Sequence, residues 1–162
     1  MAKTKTGLPL YSWDTTVMIA WLSEEEGAPL GNIDTVVAEI DSKRANLLLA
    51  LTVIIEILEC HHTTEQIERF NKFLEHPNVI TADTTTPIGL KARKMRNDAM
   101  PTGRKLKTPD ATIMATAVIY KAHVLHTLEP KLIGLDESPI VDGLHISLPI
   151  TRRGQGGLDF TP

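Results

Sequence analysis

At 162 residues, with 42% hydrophobic and 23% charged positions, the chain has the size and composition of one globular domain. No apolar run reaches the ~18 residues of a membrane span, and the polar start lacks the apolar stretch of a signal peptide. A lone cysteine, Cys60, cannot form an internal disulfide, so a reducing cytoplasm is expected, and 17 basic residues against 20 acidic ones leave a net charge of −3, which taken whole argues against a polyanionic partner.

In chain order, residues 8–13 read as a short strand ending at Asp14, followed by a helix over 15–23 with Val17, Ile19, Ala20 and Leu22 apolar. The Glu-, Gly- and Pro-rich stretch 24–31 reads as a loop. Asn32 is placed to cap a helix over 33–44, with Val36, Val37 and Ile40 on one side. Residues 46–51 form an apolar run of the kind found in buried parallel strands. A helix over 52–60 follows, apolar except for Glu56 and Glu59. Thr63 or Thr64 then opens a helix over 65–75 with Ile67, Phe70, Phe73 and Leu74 inward. Residues 78–81 read as a strand. Thr86 before Pro87 and Thr108 before Pro109 each pair a cap with a proline at the first helical position, starting helices to about 97 and over 110–121, with Met100-Pro101-Thr102-Gly103 as the break between them. Strands are expected at 123–127 and 144–148, and a loose tail from 151 to 162. Strands alternating with helices imply a single domain over 1–150, with a parallel sheet covered on both faces. In such folds ligands sit at the carboxyl ends of the strands.

Three acids fall at that edge. Asp14 follows the first strand, Asp110 opens an Ala-rich helix, and Glu129 comes two residues after Thr127, where the 123–127 strand ends. Glu56 is a fourth, within Val53-Ile54-Ile55-Glu56-Ile57-Leu58. Burying a carboxylate among such neighbours costs several kcal/mol unless it is paired or binds a cation. Thr52, one turn earlier, lies on the same helical face and is placed to orient it. Four carboxylates without a basic partner repel one another, and an oxygen-only set favours Mg²⁺ or Mn²⁺ over zinc. A zinc site would have to use Cys60, His61 and His62, whose side chains point apart on a helix. Taken singly, Asp14 and Asp110 also fit ordinary helix-start residues and Glu129 a solvated loop residue. Spacing alone leaves both readings open.

The order of these segments resembles the PIN-domain family of metal-dependent ribonucleases, especially the VapC-type toxins. The resemblance rests on Leu10-Tyr11-Ser12-Trp13-Asp14-Thr15-Thr16-Val17, on Thr52-Val53-Ile54-Ile55-Glu56, on Pro109-Asp110-Ala111-Thr112-Ile113-Met114-Ala115 and on Val124-Leu125-His126-Thr127-Leu128-Glu129-Pro130. It covers residues 8–148. It implies a three-layer α/β/α sandwich around a central, mostly parallel twisted sheet. It also implies that Asp14, Glu56, Asp110 and Glu129 hold Mg²⁺ or Mn²⁺ for hydrolysis of RNA phosphodiester bonds. Thr127, and Thr15 beside Asp14, would orient an acid or a metal-bound water. An antitoxin partner and a homodimer are implied as well, with the helices over 33–44 and 65–75 as candidate surfaces. The chain departs from the family where Leu128-Glu129-Pro130 replaces a Thr-Asn-Asp-like segment. Glu reaches about one methylene further than Asp, and Asp136 is the alternative fourth acid. A non-catalytic binding module of the same fold, and a metal-dependent phosphohydrolase acting on another substrate, are the competing readings.

The −3 is also unevenly placed. Lys91, Arg93, Lys94, Arg96, Arg104, Lys105 and Lys107, opposed only by Asp98, give +6 within 17 residues. Most such runs are solvated surface, but next to a nuclease site they match a phosphate backbone. Arg93, Lys94, Arg96, Arg104 and Lys105 are the candidate RNA contacts, with Arg152 and Arg153 joining them should the tail fold back.

Overall fold

The computed structural model describes residues 7–151; the polar start before Gly7 and the expected tail with Arg152 and Arg153 lie outside the described residues. Five strands form one sheet: β1 (Leu10–Trp13), β2 (Asn46–Ala50), β3 (Val79–Ala82), β4 (Val124–His126) and β5 (Ile146–Ser147). Their order is β3-β2-β1-β4-β5 and every pairing is parallel. Parallel strands covered on both sides carry no polar alternation. Accordingly, β1 and β2 are buried at every position, with Leu47, Leu48 and Leu49 fully enclosed.

The chain winds outward in two directions from β1. The first leg carries α1 (Thr15–Ser23), α2 (Leu30–Asp41), the short α3 (Leu51–Glu56) and α4 (Thr64–Leu74); the second carries α5 (Thr86–Ala99), α6 (Thr108–Ile119) and α7 (Pro130–Ile133). Right-handed crossovers place helices of opposite legs on opposite faces. Packing agrees: Trp13 of β1 meets Trp21 of α1 and Phe73 of α4 at ring-centroid distances of 6.3 and 6.2 Å. Leu10, Leu48, Ile80 and Ala82 pack instead with Ala122, just past α6. The result is the expected three-layer α/β/α sandwich. The winding reverses between β1 and β4, which opens a crevice at their carboxyl ends.

Several boundaries differ from expectation. α3 stops at Glu56 instead of residue 60, because Ile57 is already extended at φ −81°, ψ 97°. α2 starts at Leu30 behind Pro29, so Asn32 lies inside the helix and caps nothing. Thr86 and Thr108 are the first residues of α5 and α6, one position inside the expected cap, with Thr85 and Lys107 at the caps. Thr63 does cap α4, accepting from the Gln66 N–H while the Gln66 side chain accepts from the Thr63 N–H. The inward faces of α2 (Ile33, Val36, Ile40) and α4 (Phe70, Phe73) are used on the protein's own core. Exposed apolar side chains lie elsewhere, among them Ile55, Leu58, Leu90, Met100, Ile119, Tyr120 and Leu148.

Candidate active site

Asp14 terminates β1 and caps α1, so the strand's direction aims its carboxylate into the crevice. The residue is only 3% exposed. Its Oδ1 accepts from the Thr16 hydroxyl at 2.6 Å and from the Val17 N–H at 3.2 Å, and its Oδ2 accepts from the Thr127 hydroxyl at 2.5 Å. Both hydroxyls also accept: Thr127 Oγ1 from the Glu129 N–H at 2.9 Å, and Thr16 Oγ1 from the Leu128 N–H at 3.0 Å. Two of these bonds, Thr127 to Asp14 and Leu128 to Thr16, tie the segment after β4 to the start of α1, and the other three order each side locally. Among the described residues no cation pairs with Asp14, and burial raises its carboxyl above the ordinary range against the lowering effect of Thr127, Thr16 and Val17. The nearby charge of Asp110 adds to the rise.

Asp110 sits half-buried in the first turn of α6. Its carboxyl is raised chiefly by burial, then by the charge of Glu56; Lys107 lowers it and Glu129 raises it again. Asp110 is therefore the electrostatic centre of the group, in range of Asp14, Glu56 and Glu129 alike. Glu129 is partly buried and caps α7, accepting from the Lys131 N–H at 3.2 Å.

Glu56 corrects the sequence reading in two respects. The early end of α3 leaves it solvent-exposed, where an apolar enclosure was expected. The hydroxyl on its carboxylate is that of Thr15, at 2.6 Å, where Thr52 was expected. Thr15 was anticipated as an orienting hydroxyl, whereas Thr16, which holds both Asp14 and the Leu128 backbone, was not. Asp136, the alternative fourth acid, accepts from the Ile146 N–H at 2.7 Å and pairs with His145 at 3.4 Å. It is engaged in fastening β5, whereas the charge of Glu129 reaches Asp110. Asp136, Glu137 and His145 do bring ligand atoms within 4.8 Å of one another, but on an exposed edge where His145 already bridges the two acids. Cys60, His61 and His62 gather no metal cluster among the described residues.

The donor chemistry fits a hard divalent cation: four carboxylates at one strand edge, two of them held above their ordinary pKa by burial and mutual repulsion. Among the described residues, no three of the four bring oxygens within 4.8 Å of one another, as expected of like charges without a counter-ion. The basic run is partly engaged with the protein itself. Lys94 pairs with Asp98 and Lys91 with Asp142, each at 2.5 Å, and Arg96 Nε donates to the Leu106 carbonyl at 3.1 Å. Arg104 donates to the Gly134 carbonyl at 2.9 Å, and Arg93 and Lys105 are exposed.

No protein-family model and no curated protein matches the chain. Solved structures do. VapBC2 from Rickettsia felis bound to a promoter DNA fragment superposes with a TM-score of 0.62 at 13% identity, over 85% of this chain and 96% of that one. VapBC-1 from nontypeable Haemophilus influenzae gives 0.59 at 20% identity, over 86% and 97%. DNA-bound VapBC from Salmonella typhimurium gives 0.58 at 16%, also over 86% and 97%. The chain has the PIN-domain fold. Coverage of nearly the whole of each neighbour makes this a likeness of a whole fold rather than of one motif. Asp14 and Asp110 therefore stand at the strand edge of a PIN fold whose segment after β4 ends in Glu129.

Proposed function

We propose that the protein is a divalent-metal-dependent ribonuclease and the toxin of a toxin–antitoxin pair. The observation that carries the reading is the coupling of Asp110 to Asp14, Glu56 and Glu129 at the point where the sheet reverses its winding. Mg²⁺ or Mn²⁺ bound there would supply a water of lowered pKa and neutralise charge on the scissile phosphate. The chain's own contributions are positional. Asp14 is oriented by Thr16, Thr127 and the α1 backbone, so its carboxylate is pre-aimed before any ligand arrives. Glu129 is brought in by the Thr127 and Thr16 bonds to its segment, and Glu56 is steadied by Thr15. Asp110 links the two sides. The buried floor beneath them, including Trp13 and His126 with no exposed surface, keeps bulk water off one side of the crevice.

The solved neighbours are toxin–antitoxin complexes, which supports an antitoxin partner here. An acidic crevice suits a basic arm, since complementary potentials steer association. Ile55 and Leu58, 66% and 48% exposed, flank Glu56 at the crevice and offer that partner, or a second copy in a homodimer, an apolar contact.

The test is direct. Purified protein should cut RNA with Mn²⁺ or Mg²⁺, EDTA should stop it, and Asp110→Asn should lower the rate at least about a hundredfold, as expected for loss of a group that stabilises charge in the transition state. RNA left intact by the metal-loaded protein, with the metal shown to bind, would favour a non-catalytic role for the same fold.

A further inference from the structure

Resting on the ribonuclease reading, we propose that a groove beside the acids is the seat for an RNA phosphate flanking the scissile bond. The groove, of about 510 Å³, is lined by Gly103, Arg104, Lys105, Leu106, Pro130, Lys131 and Gly134. One wall is the connection from α5 to α6; the other is α7. Three cations line it, and Lys131 belongs to no basic run in the sequence. The fold assembles this triad from two segments about 26 residues apart.

Two details separate a built groove from a loose charged surface. The loop is pinned at both ends: Arg96 Nε donates to the Leu106 carbonyl, and the Arg104 N–H donates to the Ala99 carbonyl at 3.3 Å. The Arg104 guanidinium is braced on the Gly134 carbonyl across the groove, which fixes the planar fork and leaves other N–H donors for a ligand. A Cβ built on Gly134 would stand 3.5 Å from that guanidinium, so the fork lies close against the α7 wall. The groove is also adjacent to the acids. Pro130 follows Glu129 directly, and Lys107, next to Leu106, is close enough to Asp110 to lower its pKa. A strand whose scissile phosphate lies over the acids therefore reaches the triad with a neighbouring phosphate. Arg93, Lys94 and Arg96, on or inside α5, line no part of it. Of the five residues expected to bind RNA, Arg104 and Lys105 line this groove, and Lys131 joins them there.

The experiment measures binding of a fluorescent 12-nucleotide RNA to the full chain in EDTA, where no cleavage occurs. Arg104→Ala/Lys105→Ala/Lys131→Ala should weaken binding about tenfold and reduce the dependence of log Kd on log salt by about 0.7, one single-strand phosphate contact. A charge-matched control at the opposite edge of the sheet, Lys43→Asn/Arg44→Ala/Lys72→Ala, should bind as the wild type does; asparagine suits the φ of +59° at position 43. An unchanged Kd in the triad variant, equal weakening in the control, or wild-type protein that binds an acidic peptide in place of RNA would each overturn the groove. The Mn²⁺-induced rise in Tm should survive in the triad variant, showing an intact acid site. Wild-type protein that binds RNA through the triad but never cuts it would instead defeat the ribonuclease reading and leave the groove standing.

Discussion

Asp14 is held in a state the fold by itself disfavours. Its raised carboxyl means that the stability linked to its protonated form is present below its unfolded pKa and lost as the pH rises through the folded value. Without a cation beside it, the ionised form of Asp14 therefore lowers the stability of the fold. Asp14→Asn should raise the Tm of the metal-free protein, abolish the Mn²⁺-induced rise and eliminate RNA cleavage; thermal unfolding with and without Mn²⁺ checks all but the last. Thr127→Val removes the Oδ2 partner of Asp14 and the acceptor of the Glu129 N–H together. Each buried group left without a partner costs about 1–3 kcal/mol, so a measurable loss of Tm should accompany loss of activity. His126, fully buried and stacked on Tyr11, has its pKa pulled down to about 4 by burial. A depressed folded pKa contributes stability above the unfolded value near 6.5 that is lost on acidification. Stability should fall by about 3 kcal/mol between pH 6.5 and 4, and His126→Gln should flatten that limb of the Tm–pH curve. The positions of Asp14, ending an apolar strand, and of Asp110, opening an apolar helix, were legible in the sequence, although each alone also fits an ordinary helix start. The role of Thr16, and the pairing of Thr15 with Glu56 in place of Asp14, were not legible. Consecutive helical residues differ by 100° in direction, and only the seating of α1 decides which hydroxyl meets Asp14 and which meets Glu56.

At the level of elements, α3 sets the position of the least buried acid. Nothing in Thr52-Val53-Ile54-Ile55-Glu56-Ile57 breaks a helix, so its end after Glu56 is imposed by tertiary packing rather than by local sequence. The consequence is an exposed carboxylate at a helix end, tied to another element by one hydrogen bond from Thr15. Thr15→Val should lower the cleavage rate several-fold and leave Tm nearly unchanged, because a solvated hydrogen bond contributes only about 1 kcal/mol. Single-turnover cleavage and a melt of the same sample separate the two effects. α7 escaped the sequence reading for the converse reason: Glu129-Pro130-Lys131-Leu132-Ile133 contains a cap and an early proline but only one turn, too short for periodicity to register. The same turn is what brings Lys131 into the groove.

For the whole molecule, alternation of strands and helices was readable, and with it the parallel sheet. The order β3-β2-β1-β4-β5 was not, because strand order depends on which apolar faces meet, and Leu-rich runs such as 47–49 are alike on both. That order places the reversal between β1 and β4 and so brings Asp14 and Thr127 together. The net charge of −3 likewise concealed its own meaning: acids gather at the reversal while cations line the groove beside it. Two divalent ions at the acids would carry the total to about +1. Mn²⁺ bound only by the folded state should stabilise it by about 2.7 kcal/mol at a hundred times its Kd, read as a rise in Tm. No helix among the described residues is long and apolar enough to cross a membrane. The measurement that bears most directly on the account is cleavage of an end-labelled RNA by wild-type protein and by Asp14→Asn and Asp110→Asn in Mn²⁺. Cutting by the wild type alone, abolished by EDTA and restored by added Mn²⁺, is the expected result. Equal cutting by either variant, or cutting that persists in EDTA, would contradict it.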